Sequence, residues 1–146
     1  MDTAEAARRF VAGWQAGWAR HDVDALIGLY APDCVHRSMP FREPHRGRAA
    51  LAAYLRWSFE DEVPLDVRFG PPVVGPDGVA VAEFRVLAEE GGHASTLAGC
   101  VFVRFDADGL AVETRDYWHT ADGHQEPEGG LFLEPAAMNR PPTSRS

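Results

Sequence analysis

The chain has 146 residues, of which 45% are hydrophobic and 25% are charged, a composition typical of one soluble domain large enough to bury a core or a pocket. Its formal net charge is -8, from 14 basic and 22 acidic residues, and such a charge repels nucleic acid and acidic membrane surfaces. The opening stretch MDTAEAARRF has acids before its first basic residue and no apolar run behind it, so we expect no signal peptide, no membrane span and a cytoplasmic protein.

The first half of the chain is predicted to be mainly helical. An amphipathic helix is expected from residue 3 to about residue 20, because its apolar residues recur at the three-and-four spacing of one buried face: Ala7, Phe10, Val11, Trp14 and Trp18. A shorter second helix is predicted to start near Asp22, to include Tyr30 and to be stopped by Pro32. A third is expected to run from Gly47 to about Asp61.

The second half is predicted to be mainly sheet. A short strand, CVHRSMPF, lies between the second and third helices, and the pattern becomes alternating after Pro64. VAVAEFRVLAEE, ASTLAGCVFVRFD and VETRDYWHT are typical of strands, and turns are expected at Gly91-Gly92 and at DADG. The predicted fold class is therefore α+β, with three helices on one face of a curved antiparallel sheet whose last four strands form a meander.

The C-terminal segment has a different composition. We assign residues 1–123 to the domain and residues 124–146, which are rich in Gly, Pro and Ser, to an irregular tail. The stretch LFLEPAAM is its one apolar patch. Two interpretations are open: a segment held on the domain surface, or a lid over a pocket or an arm on a partner subunit.

The last predicted strand, VETRDYWHT, has no clearly apolar face. Alternation places Thr114, Asp116 and Trp118 on one side and Arg115 and Tyr117 on the other. The pattern alone does not decide which side faces the core.

The element order, together with HDVDALIGLYAPDCV, FRV, VRFDADG and RDYW, resembles the SnoaL-like branch of the nuclear transport factor 2-like superfamily, and within it the bacterial ketosteroid isomerases. The resemblance covers about residues 6 to 123. It implies a cone-shaped sheet around an apolar cavity, with Trp118, and with it Thr114 and Asp116, facing inward. It also implies a homodimer through the convex face. Proteins of this fold include isomerases, cyclases, dehydratases, epoxide hydrolases and non-catalytic binding modules, so the fold names no reaction.

The catalytic residues of the ketosteroid isomerases do not carry over. Their general-base aspartate would fall at Ser38, or at Met39 after a one-residue shift. Their oxyanion-hole tyrosine would fall at Trp14, and their protonated aspartate at Val101. All three are missing, which excludes ketosteroid isomerisation.

The resemblance predicts a largely apolar cavity with a few polar groups, the usual form of a small-molecule site. Ten residues are expected to contact a substrate: Trp14, Trp18, Tyr30, Ser38, Tyr54, Trp57, Phe84, Val101, Thr114 and Trp118. Val86 and Leu97 are expected to complete the wall. Tyr30, Tyr54 and Ser38 could donate a hydrogen bond to a developing oxyanion, with plain packing as the alternative for the tyrosines and tryptophans.

Asp116 and His36 are the predicted catalytic residues. A carboxylate beside Trp118 loses hydration, which raises its pKa by up to about 3–5 units when burial is complete; alternatively, Asp116 only anchors a neighbouring N–H group or lies at a wet pocket mouth. The pattern of its strand turns His36 outward, whereas the resemblance turns it inward with Ser38. If His36 faces inward, the two residues could form an acid/base dyad in which Asp116 fixes the imidazole tautomer; the alternative is a structural histidine.

Three functions follow from these observations. The first is a cofactor-independent enzyme that performs acid/base chemistry on a small, apolar, cyclic metabolite, by isomerisation, cyclisation, dehydration or epoxide opening. The second is a non-catalytic small-molecule binding protein, and the third a dimeric interaction module with a collapsed cavity. His119 and His124 have no third ligand nearby, and no phosphate-binding glycine loop is present. We therefore expect neither a metal nor a cofactor.

Overall fold

Three helices and a seven-stranded sheet form the part of the chain that the computed structural model describes, residues 1–135. The helices are α1 (Thr3–Arg20), α2 (Val23–Ile27) and α3 (Gly47–Phe59). The strands are β1 (Tyr30–Arg37), β2 (His45–Arg46), β3 (Glu62–Phe69), β4 (Val73–Val74), β5 (Val79–Glu90), β6 (His93–Phe105) and β7 (Ala111–Asp122). No helix in these residues is long and apolar enough to cross a membrane.

The sheet is curved and open, with strands in the order β2-β1-β7-β6-β5-β3 and with β4 paired to β5. Strands β5, β6 and β7 form the predicted antiparallel meander, in which Asp116 lies opposite Val101. Strand β1 instead runs parallel to β7, with His36 opposite Thr114. The predicted α+β class is confirmed, and the register places His36, Thr114 and Asp116 side by side.

The segment after α2 differs from the sequence-based prediction. The second helix ends at Ile27, so Tyr30 opens strand β1 and does not belong to the helix. The strand itself begins at residue 30 and ends at residue 37, four residues earlier at each end than the predicted stretch 34–41. Tertiary pairing overrides the helical pattern, because the N–H of Ala111 donates to the carbonyl of Leu29 at 2.9 Å and β1 continues beside β7. Tyr30 and His36 consequently belong to one strand.

The core lies between the helices and the concave face of the sheet. Phe10 of α1 is its centre, with ring centroids 5.8 Å from Tyr30 and 5.7 Å from Phe105 in edge-on packing, an arrangement that aromatic rings favour. Gly17 permits the close approach of α2, since a Cβ there would lie 2.7 Å from a methyl carbon of Leu26. The aromatic side of α1 is therefore held firmly against the sheet that carries the polar residues.

The described part of the C-terminal segment, residues 124–135, packs on the convex face of the sheet. The buried guanidinium of Arg85 on β5 pairs with Asp66 at 2.8 Å and with Glu126 at 3.1 Å. These are the contacts of a segment held on the domain surface. The predicted lid or partner arm would involve residues 136–146 as well, and these lie outside the described residues.

Candidate active site

A cavity of about 380 Å³ opens between the helices and the concave face of the sheet, a volume within the usual range for small-molecule sites. Its lining is aromatic inside and charged at the mouth: Trp14, Trp18, His36, Ser38, Met39, Arg42, Tyr54, Leu55, Trp57, Ser58, Phe59, Glu60, Asp61, Glu62, Phe84, Glu90, Leu97, Asp116 and Trp118. A narrow extension of about 20 Å³ reaches Tyr30, Phe69 and Val101.

Most of the residues predicted to contact a substrate lie at this cavity. Seven line it directly: Trp14, Trp18, Ser38, Tyr54, Trp57, Phe84 and Trp118. Tyr30 and Val101 reach only the narrow extension. Thr114 is fully buried and does not line the cavity. Of the two further wall residues, Leu97 lines the cavity, whereas Val86 packs in a second hydrophobic cluster.

The two faces of strand β7 lie in different surroundings. Asp116 and Trp118 line the cavity, and the indole N–H of Trp118 donates to the backbone carbonyl of Ser38 at 3.0 Å. Arg115 and Tyr117 lie on the opposite, convex face, where they line a separate surface groove. The orientation implied by the family resemblance is therefore the one observed.

His36 faces inward and meets Asp116. Its Nδ1 lies 2.7 Å from Oγ1 of Thr114, and its Nε2 lies 3.5 Å from Oδ2 of Asp116. The second distance is at the outer limit of a hydrogen bond, but catalytic contacts in unliganded sites are often long. The outward orientation suggested by the strand pattern is wrong, because the pairing of β1 with β7 puts Cys34, His36 and Ser38 on the buried side.

The Asp116 and His36 side chains are both mainly uncharged near neutral pH. Burial raises the pKa of Asp116 to about 8. Although 22% of its side chain is accessible, that surface faces the cavity interior. Burial also lowers the pKa of His36 to about 3, with a further contribution from neighbouring His45. The site therefore holds a carboxylic acid beside a neutral imidazole, not an ion pair.

A chain of polar side chains continues behind His36. The Thr114 hydroxyl that contacts His36 also lies near the hydroxyl of Tyr30, which accepts a hydrogen bond from Nε1 of Trp14 at 3.2 Å. Burial raises the pKa of Tyr30 far above its usual range, so this hydroxyl keeps its proton. These side chains link the hydrophobic core to the candidate catalytic pair.

The hydroxyl of Ser38 faces the cavity without a hydrogen-bond partner among the described residues, although the residue is only 3% exposed. It lies near Tyr54, whose pKa is raised by burial and by Asp116 and is lowered by Ser38 and by Arg42; the geometry at Ser38, however, is not that of a formed hydrogen bond. A buried, unpaired hydroxyl costs about 1–3 kcal/mol. This donor is available to an atom of a bound ligand.

The sequence reasoning missed the mouth of the cavity. Seven of its residues were not predicted to be site residues: Met39, Arg42, Ser58, Glu60, Asp61, Glu62 and Glu90. Glu62 accepts a hydrogen bond from Nε1 of Trp18 at 2.8 Å, which fixes the orientation of that indole. Burial raises the pKa of Glu90, and the neighbouring Glu62 and Asp61 raise it further. In the sequence, the only feature that marked Glu60, Asp61 and Glu62 was their position at the end of the third helix.

Residues 1–135 contain neither a metal-binding cluster nor a disulfide. Among residues 1–135, no three His, Cys, Asp or Glu side chains come together in a group that could hold a metal ion. Both cysteines are free thiols. Cys34 is buried, but Cys100 is only half-buried, because β6 turns it toward the convex groove.

A family model for the SnoaL-like domain matches residues 7–114, and the chain therefore belongs to this family of the nuclear transport factor 2-like superfamily. Two solved structures are similar to it. RV0760c from Mycobacterium tuberculosis has a TM-score of 0.72 and 18% sequence identity, and the likeness covers 84% of this chain and 100% of that one. A proposed polyketide cyclase from Xanthomonas campestris pv. campestris has a TM-score of 0.66 and 21% identity, with 81% and 93% covered. At these identities the likeness shows the fold alone. No match to a curated protein is found.

Proposed function

We propose that the protein is a cofactor-independent acid/base enzyme that acts on a small, apolar, cyclic molecule bound in the cavity. The candidate reactions are isomerisation, cyclisation, dehydration and epoxide opening. The observation that carries the proposal is Asp116, a carboxyl group inside an aromatic cavity with its pKa raised to about 8. The SnoaL-like family and the likeness to a proposed polyketide cyclase are consistent with this class of reaction.

In this mechanism Asp116 first donates a proton to the substrate and then accepts a different proton from it. Its acid form is the main form near neutral pH. The O–H bond of the carboxyl breaks as the proton passes to an oxygen or carbon of the substrate, and the electron pair stays on the carboxylate. The carboxylate then takes a proton from a second substrate atom, which restores the acid. A pKa close to the working pH suits both steps.

The surrounding residues supply binding and charge stabilisation. The unpaired hydroxyl of Ser38 and the phenol of Tyr54 face the same cavity as Asp116 and donate to a substrate oxygen as it gains negative charge. Trp14, Trp18 and other aromatic side chains provide flat apolar surfaces, which favour an apolar ring and exclude water from the proton transfer.

The test uses solvent deuterium as the probe, because proton transfer at carbon exchanges hydrogen with water. Neutral cyclic ketones, polycyclic aromatic alcohols and epoxides are first screened for binding by thermal shift, and each binder is then followed by NMR in D₂O. We expect the wild type to exchange or convert a binder, and Asp116→Asn to do so about 10²–10⁴-fold more slowly at a similar Kd. Asp122→Asn, an exposed acid on the same strand, is the control. Turnover at the normal rate in Asp116→Asn would refute the assignment.

Binding without turnover is the second candidate function. It is favoured by the residues that stand where the isomerases have their catalytic groups, namely Ser38, Trp14 and Val101. If binders are found and neither the wild type nor Asp116→Asn exchanges deuterium into them, this candidate replaces the enzyme. The open cavity of about 380 Å³ does not favour an interaction module with a collapsed interior.

We also propose that two copies of the chain associate through the convex face. A groove of about 540 Å³ lies there, and Phe102 and Tyr117 within it are 45% and 40% exposed. Glu113 pairs with Arg104 and Arg115 beside these rings, so the face carries charges of both signs. A two-fold interface brings one patch onto itself, and such a patch can then be self-complementary.

Sedimentation velocity tests this association. We expect a dimer for the wild type and a monomer for the double variant Phe102→Lys/Tyr117→Lys, with ligand binding in the cavity retained. Arg8→Glu, on the exposed side of α1, changes charge away from the groove and should leave the dimer intact. A monomeric wild type at concentrations of tens of micromolar would overturn the proposal.

A further inference from the structure

The polar side chains behind His36 are arranged so that they can form a one-way chain of hydrogen bonds. Nε1 of Trp14 can only donate, and it donates to the hydroxyl of Tyr30 at 3.2 Å. The buried Tyr30 hydroxyl still has its own proton to donate, and its polar neighbours are the hydroxyl of Thr114, the carboxyl of Asp116 and the thiol of Cys34. Of these, Thr114 also contacts Nδ1 of His36, 2.7 Å away, so a hydrogen bond from Tyr30 to Thr114 would direct the proton of Thr114 at that nitrogen.

We propose that this chain from Trp14 through Tyr30 and Thr114 holds His36 as the Nε2–H tautomer, so that His36 donates a hydrogen bond to Asp116 and does not accept its proton. Thr114 and Tyr30 are then positioning residues for the candidate acid. The inference deepens the proposed function and rests on it for the role of Asp116. The tautomer itself can be measured without a substrate.

This assignment reverses the expectation that Asp116 fixes the imidazole. A histidine tautomer is set by the hydrogen bond at the other ring nitrogen, and a carboxylate is the usual group that sets it. Here the carboxyl of Asp116 lies 3.5 Å from the ring, whereas the hydroxyl of Thr114 lies at 2.7 Å. Thr114 is also completely buried, so its contact with His36 is closer and better shielded from water.

The tautomer decides where the proton of Asp116 resides. With an N–H group directed at Oδ2, the acid form carries its proton on Oδ1. That O–H bond breaks when the proton passes to the substrate, and the N–H of His36 then stabilises the charge left on the carboxylate. His36 gains and loses no proton in either step. Asp116 is therefore the one proton carrier of the pair, and His36 is the group that orients it.

Nitrogen-15 NMR of the histidine side chains tests the inference on the whole chain without a ligand. Two-bond correlations distinguish a protonated ring nitrogen from a bare one, and the missing signals of His36→Gln identify His36 among the six histidines. At pH 7 we expect Nε2 to be protonated and Nδ1 to be bare. A protonated Nδ1 in the wild type would overturn the proposal.

Variants of Thr114 and Tyr30 show which residues fix the tautomer of His36. Thr114→Val keeps the shape of the side chain but removes the hydroxyl, so the acid form of Asp116 can donate to Nε2; we expect the Nδ1–H form to become detectable. Thr114→Ser should restore the wild-type spectrum. Tyr30→Phe removes the donor to Thr114 and should also admit the Nδ1–H form, which keeps the test available if Thr114→Val does not fold. An unchanged, pure Nε2–H signal in Tyr30→Phe, or in a folded Thr114→Val, would refute the proposal that the hydrogen-bond chain fixes the tautomer.

The two proposals fail in different ways. Normal turnover in Asp116→Asn refutes the enzyme assignment and leaves the tautomer of His36 untouched. An Nδ1–H wild type refutes the hydrogen-bond chain while Asp116 remains the candidate acid, with His36 as an acceptor.

Discussion

Two carboxyl groups on strand β7, Asp116 and Glu113, face opposite sides of the sheet and have opposite properties. On the concave side, burial raises the pKa of Asp116 to about 8. On the convex side, hydrogen bonds from Arg104 and Arg115 lower the pKa of Glu113 below its usual value. Two acids three residues apart therefore differ in charge near neutral pH because of what surrounds them.

The difference indicates which carboxyl group is suited to proton transfer. A solvent-exposed ion pair stabilises a fold by only about 0–1 kcal/mol, and a fixed anion such as Glu113 has no proton to give at neutral pH. A buried acid with a raised pKa costs the fold stability and is concentrated at functional sites. The geometry of β7 separates these two roles by alternation alone.

The largest expected effect is on activity, and it applies to one side of the sheet. Once a turned-over ligand is available, Asp116→Asn should lower kcat by about 10²–10⁴-fold, while Glu113→Gln should leave kcat unchanged. Steady-state rates for both variants measure this contrast. Equal losses in the two variants would mean that the concave position has no special chemical role.

The next effect is on stability as a function of pH. Asp116 has a folded pKa of about 8 against 3.8 in a model compound, so ionisation opposes folding and stability falls as pH rises toward 8. His36 has a folded pKa of about 3 against 6.5, so its contribution is complete above pH 6.5 and is lost as pH falls. Between about pH 4 and 6.5 the two slopes cancel. From pH 6.5 to 8 only the slope of Asp116 remains, and the free energy of unfolding falls by about 2 kcal/mol in total.

Urea unfolding at several pH values measures this effect as the difference between the wild type and Asp116→Asn. The variant should lack the loss between pH 6.5 and 8 and should instead lose stability below pH 6.5, where the slope of His36 is no longer offset. Asp122→Asn, with its exposed side chain, should follow the wild type. A constant difference across this range would show that Asp116 ionises normally in the folded protein.

A smaller effect is expected at Ser38, an uncharged group on the concave side. Its hydroxyl is buried without a partner among residues 1–135, so Ser38→Ala should raise the free energy of unfolding by about 1 kcal/mol. The same change should slow turnover if the hydroxyl donates to the substrate. A gain in stability together with a loss of activity is expected when a polar group serves function and not folding. Ser58→Ala, at the cavity mouth with its hydroxyl bonded to the Leu55 carbonyl, is the control. Loss of stability in Ser38→Ala would indicate a structural role.

The sequence predicts elements that depend on local pattern and misses those that depend on distant pairing. Helix α1 and strands β5 and β6 follow directly from their apolar spacing, and β7 follows from the DADG hairpin turn that precedes it. The inward orientation of His36 does not, because it depends on the parallel pairing of β1 with β7, 78 residues away at Thr114. No local pattern contains that pairing.

The mouth of the cavity was missed for the same reason. Glu62 and Glu90 meet because they are opposite each other in the β3 and β5 pairing, although nearly thirty residues separate them along the chain. In the sequence each one is an ordinary acid at the end of an element. Acids brought together in this way become part of a site only in the folded protein.

The smallest effect is predicted on the convex side. Glu113 has a lowered pKa, so its pairs stabilise the fold above the unfolded pKa of the group and are lost as pH falls through the folded value. At pH 7, Glu113→Gln should therefore reduce the free energy of unfolding by less than about 1 kcal/mol, and 1 M salt should remove most of the difference, because these side chains are partly exposed. Urea unfolding at low and high salt measures it. A loss of several kcal/mol that persists at high salt would mean that Glu113 is shielded from water, as it would be in a dimer that buries this face, and sedimentation of the same variant would then distinguish a broken interface from a broken ion pair.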